Sequence, residues 1–177
     1  MGQYRNPVER EHYLASRNAG IEFNVPQWAI LAVACVETSA RPGAHAPFNT
    51  WPIGTSTPYG RALGPMQVMP SHLVSFSMDP TNWQDQYRLA TDISLNYKAG
   101  AMVLRAALER TVATIGEPEL AIAWASFYYG EGIENVMSGN ISPYVQVAMD
   151  NIRSWAYYYQ QQGVMYTMEP VPPLPTF

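Results

Sequence analysis

The sequence predicts one mostly helical domain. Apolar residues recur at three- and four-residue spacing in several segments, proline and glycine fall where helices would start and stop, and no convincing strand pattern or internal repeat is present. A chain of 177 residues suits a single hydrophobic core, and 47% hydrophobic against 14% charged residues belongs to a globular rather than a disordered protein.

The elements follow in order. Asn6-Pro7-Val8-Glu9 reads as an N-cap, a first-turn proline and a capping-box glutamate, with Gly20 expected to close that helix. Pro26 opens a second helix through Trp28-Ala29-Ile30-Leu31-Ala32-Val33-Ala34-Cys35-Val36, with Glu37-Thr38 in its last turn. Residues 41–63 are rich in proline and glycine and read as a long loop, expected to act as a flap over a site, with Phe48 and Trp51 as its apolar surface. Pro70-Ser71 begins a short helix and Asp79-Pro80 a turn. Leu89, Ile93, Tyr97, Ala101, Leu104 and Leu108 then keep the spacing of one long amphipathic helix. Pro118 leads into a helix over 120–129, ended by Gly130 and Gly132, and Ser142-Pro143 caps a last helix expected to stop at Gly163. Residues 1–168 are thus expected to form one domain. Residues 169–177, with Pro170, Pro172, Pro173 and Pro175, read as an extended tail.

Composition and motifs exclude several function classes. Net charge is −4 and the ten basic residues are scattered, so no nucleic-acid partner is expected. No apolar stretch reaches the roughly 20 residues that span a bilayer. His12, His45 and His72 share no metal-ligand spacing, and neither a Gly-x-Ser-x-Gly elbow nor a phosphate loop is present, so no metal or cofactor is implied. Cys35, the single cysteine, lies within the apolar run and reads as a small buried hydrophobe.

Glu37 stands out because so little in its sequence neighbourhood is polar. Burial disfavours the charged form, so such a carboxyl is a candidate for an acid that stays protonated near neutral pH. A partly exposed glutamate ending a core helix is the plainer alternative. The residues that follow favour the first: Glu37-Thr38, then Gly64-Pro65-Met66-Gln67-Val68-Met69-Pro70, then Asn96-Tyr97 with Ala99-Gly100-Ala101 and Leu104. A degraded Ser126-Phe127-Tyr128-Tyr129-Gly130 turn and a Tyr144-Val145 pair come later. In this order they resemble the soluble lytic transglycosylase family of peptidoglycan-cleaving enzymes over roughly residues 25–155.

The resemblance implies a lysozyme-like helical fold, with the long loop between the catalytic helix and the Gly-Pro-Met-Gln turn. It implies cleavage of the β-1,4 bond between MurNAc and GlcNAc, with Glu37 as the only catalytic carboxylate and 1,6-anhydromuramoyl ends as product. Asp79, Asp85 and Asp92, in polar surroundings, read as turn or surface groups. By the same resemblance Thr38, Gly64, Met66, Gln67, Phe127, Tyr128 and Tyr144 line the glycan cleft, with the Tyr144 hydroxyl directed at Glu37. Pro65 replaces the usual leucine and removes a backbone donor, and Phe127 lacks the hydroxyl found there in relatives. Met69 reads as core. The alternatives are a hydrolytic goose-type lysozyme on the same fold and an inactive structural or glycan-binding module of a virion. The expected partners are peptidoglycan strands, with virion or secretion-machine proteins as candidate companions. The expected place of action is the periplasm or cell wall. Residues 1–18 lack the apolar segment of a secretory signal, so delivery by a phage virion or lysis system is the corresponding expectation.

Overall fold

A computed structural model of the chain describes residues 7–38, 53–57 and 60–167. It has the mostly α, lysozyme-like architecture that the sequence predicts, with helices α1 (Pro7–Phe23), α2 (Gln27–Glu37), α3 (Trp83–Thr91), α4 (Ile93–Ile115), α5 (Leu120–Ala123), α6 (Ile133–Ser138) and α7 (Pro143–Thr167). A hairpin of β1 (Ile53–Thr57) and β2 (Gly60–Leu63), a 3-10 helix (Pro70–Phe76) and a π-helical turn (Trp124–Tyr128) complete it.

α2 is the centre. Every residue from Trp28 to Cys35 is buried, so this helix has no solvent face. It packs chiefly on α7 and also on α1 and α4. α7 presents Val145, Ala148, Met149, Ile152, Trp155, Ala156 and Tyr159 to the core at helical spacing, and α1 presents His12, Ala15, Ser16 and Ala19. Two polar contacts cross this core. His12 Nδ1 lies 3.1 Å from the Tyr97 hydroxyl, and Cys35 Sγ lies 3.3 Å from that of Tyr159. Burial pushes the Cys35 thiol up to about 12, which makes it a poor nucleophile.

Several sequence expectations are corrected. α1 does not stop at Gly20 but runs to Phe23, and the chain reverses at Asn24 in the left-handed region (φ 52°). Gly20 instead makes room for the returning chain, since a Cβ there would lie 2.5 Å from the Val25 carbonyl oxygen. Two strands exist where none was expected. β1 and β2 pair antiparallel, with Ile53 opposite Leu63 and Thr57 opposite Gly60. The β-branched content of Ile53-Gly54-Thr55-Ser56-Thr57 favours this, but the surrounding prolines and glycines obscure it. The rest of the expected flap, residues 39–52 and 58–59, lies outside the described residues, as does the 169–177 tail.

The expected long helix is two. Asp92 ends α3 and caps α4, its Oδ1 accepting the Leu95 N–H at 3.0 Å. The apolar spacing continues in phase across this break and hides it. The expected 120–129 helix is likewise interrupted: α5 passes into the π-helical turn, whose Trp124 carbonyl accepts from Tyr129 N–H at 2.7 Å. α6 was not anticipated, and α7 continues past Gly163 to Thr167.

The Gly-Pro-Met-Gln turn is held from beneath by α4. Leu63 and Val68 exchange backbone hydrogen bonds of 3.0 and 2.9 Å and close the turn. Fully buried Asn96 accepts from Met66 N–H at 2.9 Å and donates to the carbonyls of Leu63 (2.8 Å) and Leu89 (2.9 Å). Gly64 sits over it at φ +71°, where a Cβ would lie 2.2 Å from Asn96 Nδ2. Gly100, one turn further along α4, leaves the space that Met66 fills; a Cβ there would approach Met66 Cβ to 2.6 Å.

Asn96→Leu should therefore leave one buried N–H and two carbonyls without their side-chain partner and cost roughly 3 kcal/mol or more. Gly100→Ala should cost about 1–3 kcal/mol through overpacking against Met66. Denaturant unfolding of both variants checks this; Asn96→Leu at wild-type stability would show that the turn is held by other contacts.

Candidate active site

Glu37 is the last residue of α2, and its side chain is partly buried. Its Oε1 accepts a 2.7 Å hydrogen bond from Trp124 Nε1, on the π-helical turn. Burial raises the carboxyl to about 7, and the Trp124 hydrogen bond pulls the other way. The end of a helix, where the carbonyls of the last turn point, also disfavours a negative side chain. The hydroxyls of Tyr128, Tyr129 and Tyr144 are held above the ordinary phenol value, first by burial and then by neighbouring charge, Glu37 included. Glu37 thus faces an aromatic wall of Trp124, Tyr128, Tyr129 and Tyr144. The rings of Trp124 and Tyr129 are 5.1 Å apart and those of Tyr129 and Tyr144 6.1 Å.

The expected cleft residues take different positions. Thr38 turns back onto its own helix, its hydroxyl donating to the Ala34 carbonyl at 2.8 Å, so only its lone pairs remain for a ligand. Met66 is a correction: its side chain is fully buried against Gly100 and does not reach the surface. The Met66 carbonyl accepts from the Tyr128 hydroxyl at 2.5 Å, which ties the turn to the π-helical segment. Gln67 adopts a left-handed backbone (φ 46°), an uncommon state for a non-glycine residue, and its Nε2 donates to the Gly64 carbonyl at 2.9 Å. Gly64 is buried above Asn96. Phe127 is partly buried, with the Arg110 guanidinium 5.9 Å from its ring centre. Tyr144 is exposed and lies against Tyr129; the hydrogen bond to the Glu37 carboxyl comes from Trp124.

Asp79 and Asp85 cap a surface turn, and the Thr81 hydroxyl and N–H hold the Asp79 carboxyl below the usual range. Asp92 caps α4. Sequence reasoning passed over Trp124 and Glu131, the latter a residue whose charge also acts on the Tyr129 hydroxyl. A signal for Trp124 existed. An indole in an apolar helical stretch needs an acceptor for its N–H when buried, and an isolated carboxyl in an apolar helix needs a donor. Among the described residues, no three His, Cys, Asp or Glu side chains gather as metal ligands would, and no helix is long and apolar enough to cross a membrane.

The raised Glu37 carboxyl carries a stability consequence. The folded protein keeps this proton up to about pH 7, whereas an unfolded chain releases it near 4.5. The contribution of Glu37 to stability is therefore full below pH 4.5 and is lost as pH rises through 7. Glutamine cannot ionise, so Glu37→Gln should match wild type at pH 4 and exceed it at pH 8 by roughly 1–3 kcal/mol. Equal unfolding free energies at pH 8 would mean that the carboxyl titrates normally.

The Transglycosylase SLT domain family matches residues 15–139, a span that holds Glu37, the Gly64–Gln67 turn, Asn96, Gly100 and the π-helical wall and stops short of Tyr144. No curated protein and no solved structure matches the chain. With the match extending over most of its length, the chain belongs to the Transglycosylase SLT domain family, whose members are transglycosylases acting on peptidoglycan.

Proposed function

We propose that this protein is a lytic transglycosylase that cuts the β-1,4 bond between MurNAc and GlcNAc with Glu37 as its single acid/base. The observation that carries this reading is the enclosed Glu37 carboxyl, held by Trp124 and raised to about 7. At that value one group can act both as acid and, after losing its proton, as base. Protonated Glu37 gives its proton to the glycosidic oxygen, and the bond from that oxygen to C1 of MurNAc breaks. The substrate's own N-acetyl group stabilises the positive charge developing at C1. The Glu37 carboxylate then takes the proton of the MurNAc 6-hydroxyl, whose oxygen closes on C1. The 1,6-anhydro ring forms without water, and Glu37 is protonated again.

The exposed rings of Tyr129 and Tyr144 suit the faces of sugar rings. The Thr38 oxygen, the Gly64–Gln67 backbone, Phe127 and Tyr128 complete the proposed cleft. The strand is met at the cell wall, and delivery by a virion or lysis system, alongside virion or secretion-machine proteins, belongs to the same proposal.

Glu37→Gln should abolish clearing of purified peptidoglycan, and wild-type activity should fall as pH rises through about 7. One observation favours a hydrolytic second reading: Glu131 follows directly on the π-helical turn, its N–H donating to the Ala125 carbonyl at 3.0 Å, and its charge, like that of Glu37, acts on the Tyr129 hydroxyl. Mass analysis of the digest separates the two. Anhydro ends and an active Glu131→Gln variant fit the transglycosylase, whereas reducing muramic ends and an inactive Glu131→Gln fit the lysozyme.

Tyr144→Phe should leave kcat within about twofold, because the Tyr144 hydroxyl gives Glu37 no hydrogen bond. Tyr144→Ala should raise KM roughly tenfold by removing about 1 kcal/mol or more of ring–sugar contact. A large loss of kcat in the Phe variant would return the Tyr144 hydroxyl to the reaction.

A further inference from the structure

We propose that Trp124 is a positioning residue which fixes the two oxygens of Glu37 in different roles, Oε1 as the anchored oxygen and Oε2 as the one that gives and takes the proton. The inference rests on Glu37 being the acid/base. It follows from the geometry of one hydrogen bond and from what an indole can do.

Trp124 Nε1 lies 2.7 Å from Glu37 Oε1, and the tryptophan is 1% exposed, so water does not compete for its N–H. An indole nitrogen donates and cannot accept. A proton on Oε1 directed at Trp124 would meet another hydrogen, so the acid's proton resides on Oε2. After proton transfer the same N–H faces a carboxylate, and a hydrogen bond to a charged acceptor is roughly twice as strong. Trp124 therefore orients the acid before the first step and steadies the base after it. A glutamate side chain without such an anchor has three rotatable bonds, and a ~1 Å error in its carboxyl can cost on the order of 100-fold in rate.

The backbone is built for this placement. The Tyr129 N–H to Trp124 carbonyl bond spans five residues, a π-type turn of the kind often found at functional sites. In an α-helix, residues five apart point about 140° away from each other. Here the wider turn brings the Trp124 and Tyr129 rings to 5.1 Å, so the two rings pack together. Tyr128, on the same turn, is fastened to the Met66 carbonyl. The Tyr129 ring thus packs on the indole, and the turn that carries it is anchored through Tyr128, while its N–H meets Glu37.

The titratable groups that face Glu37 are the hydroxyls of Tyr128 and Tyr129 from the π-helical turn and of Tyr144 from α7, with Glu131 acting on Tyr129. All three phenols stay neutral near pH 7, so a pH profile in that range reads the Glu37 proton.

The test compares wild type, Trp124→Phe and a variant carrying benzothienylalanine at position 124, in which sulfur replaces the N–H and the ring shape is kept. On purified peptidoglycan strands, both variants should lose roughly 10- to 100-fold in kcat with KM within about threefold. The pH above which activity declines should move upward, because the hydrogen bond that favours the carboxylate is gone. Wild-type kcat and an unmoved pH limit in the folded sulfur variant would overturn the role. So would a loss of kcat with the pH limit unmoved, since that marks packing alone. Glu37→Gln, run in parallel, separates the two levels: activity there would remove the acid/base reading itself, whereas an inactive Glu37→Gln beside a wild-type sulfur variant would remove only Trp124.

Discussion

α2 is apolar on every side and so must be covered on every side, and the rest of the fold answers that demand. α7, α1 and α4 supply the cover. Burying such a helix is strongly favourable, on the order of 1.5–3 kcal/mol for each large aliphatic side chain removed from water. The same burial fixes where α2 ends. Glu37 is carried on a rigid rod to the edge of the core, where it is enclosed enough to hold a proton near neutrality and yet only partly buried. Any shift in α2 would move the carboxyl with it.

The opposite side of the site is rigid for a different reason. The Gly64–Gln67 turn has little secondary structure of its own and is fastened by polar atoms from elsewhere in the chain. Asn96 saturates three backbone groups beneath it, Gly100 admits the Met66 side chain, and Tyr128 closes on the Met66 carbonyl. A turn that holds the non-glycine Gln67 in an uncommon left-handed state needs such support to keep one shape. Polar atoms inside an apolar core are costly unless paired, so each pair also specifies a single register between elements far apart in sequence.

That rule joins structure to chemistry at Glu37 and Trp124. Each is an expensive group to bury alone, and each satisfies the other. The carboxyl remains perturbed because one neutral donor does not offset its lost hydration, as a cation would. A salt bridge at this point would have held the carboxylate ionised at neutral pH and removed the proposed acid.

Local chemistry was legible in the sequence, and long-range pairing was not. The apolar run with Pro26 before it determined α2, and Glu37 stood out as a carboxyl without polar neighbours. The order of Glu37, the Gly-Pro-Met-Gln segment, Asn96 and Gly100 pointed to the family. The break at Asp92 was hidden because apolar spacing runs in phase through it, and the hairpin because its short strands lie among prolines and glycines. Met66 was misplaced for a related reason: a methionine suits both a ligand surface and a core, and only the missing Cβ at Gly100 decides which. Trp124 meets Glu37 across 87 residues, and no local pattern encodes that distance. Sequence by itself determined which groups could do chemistry, because residue identity sets what can donate, accept or ionise. Only the tertiary structure decided which of them meet, because a hydrogen bond needs its two atoms within about 3 Å, and that depends on how all the helices pack at once.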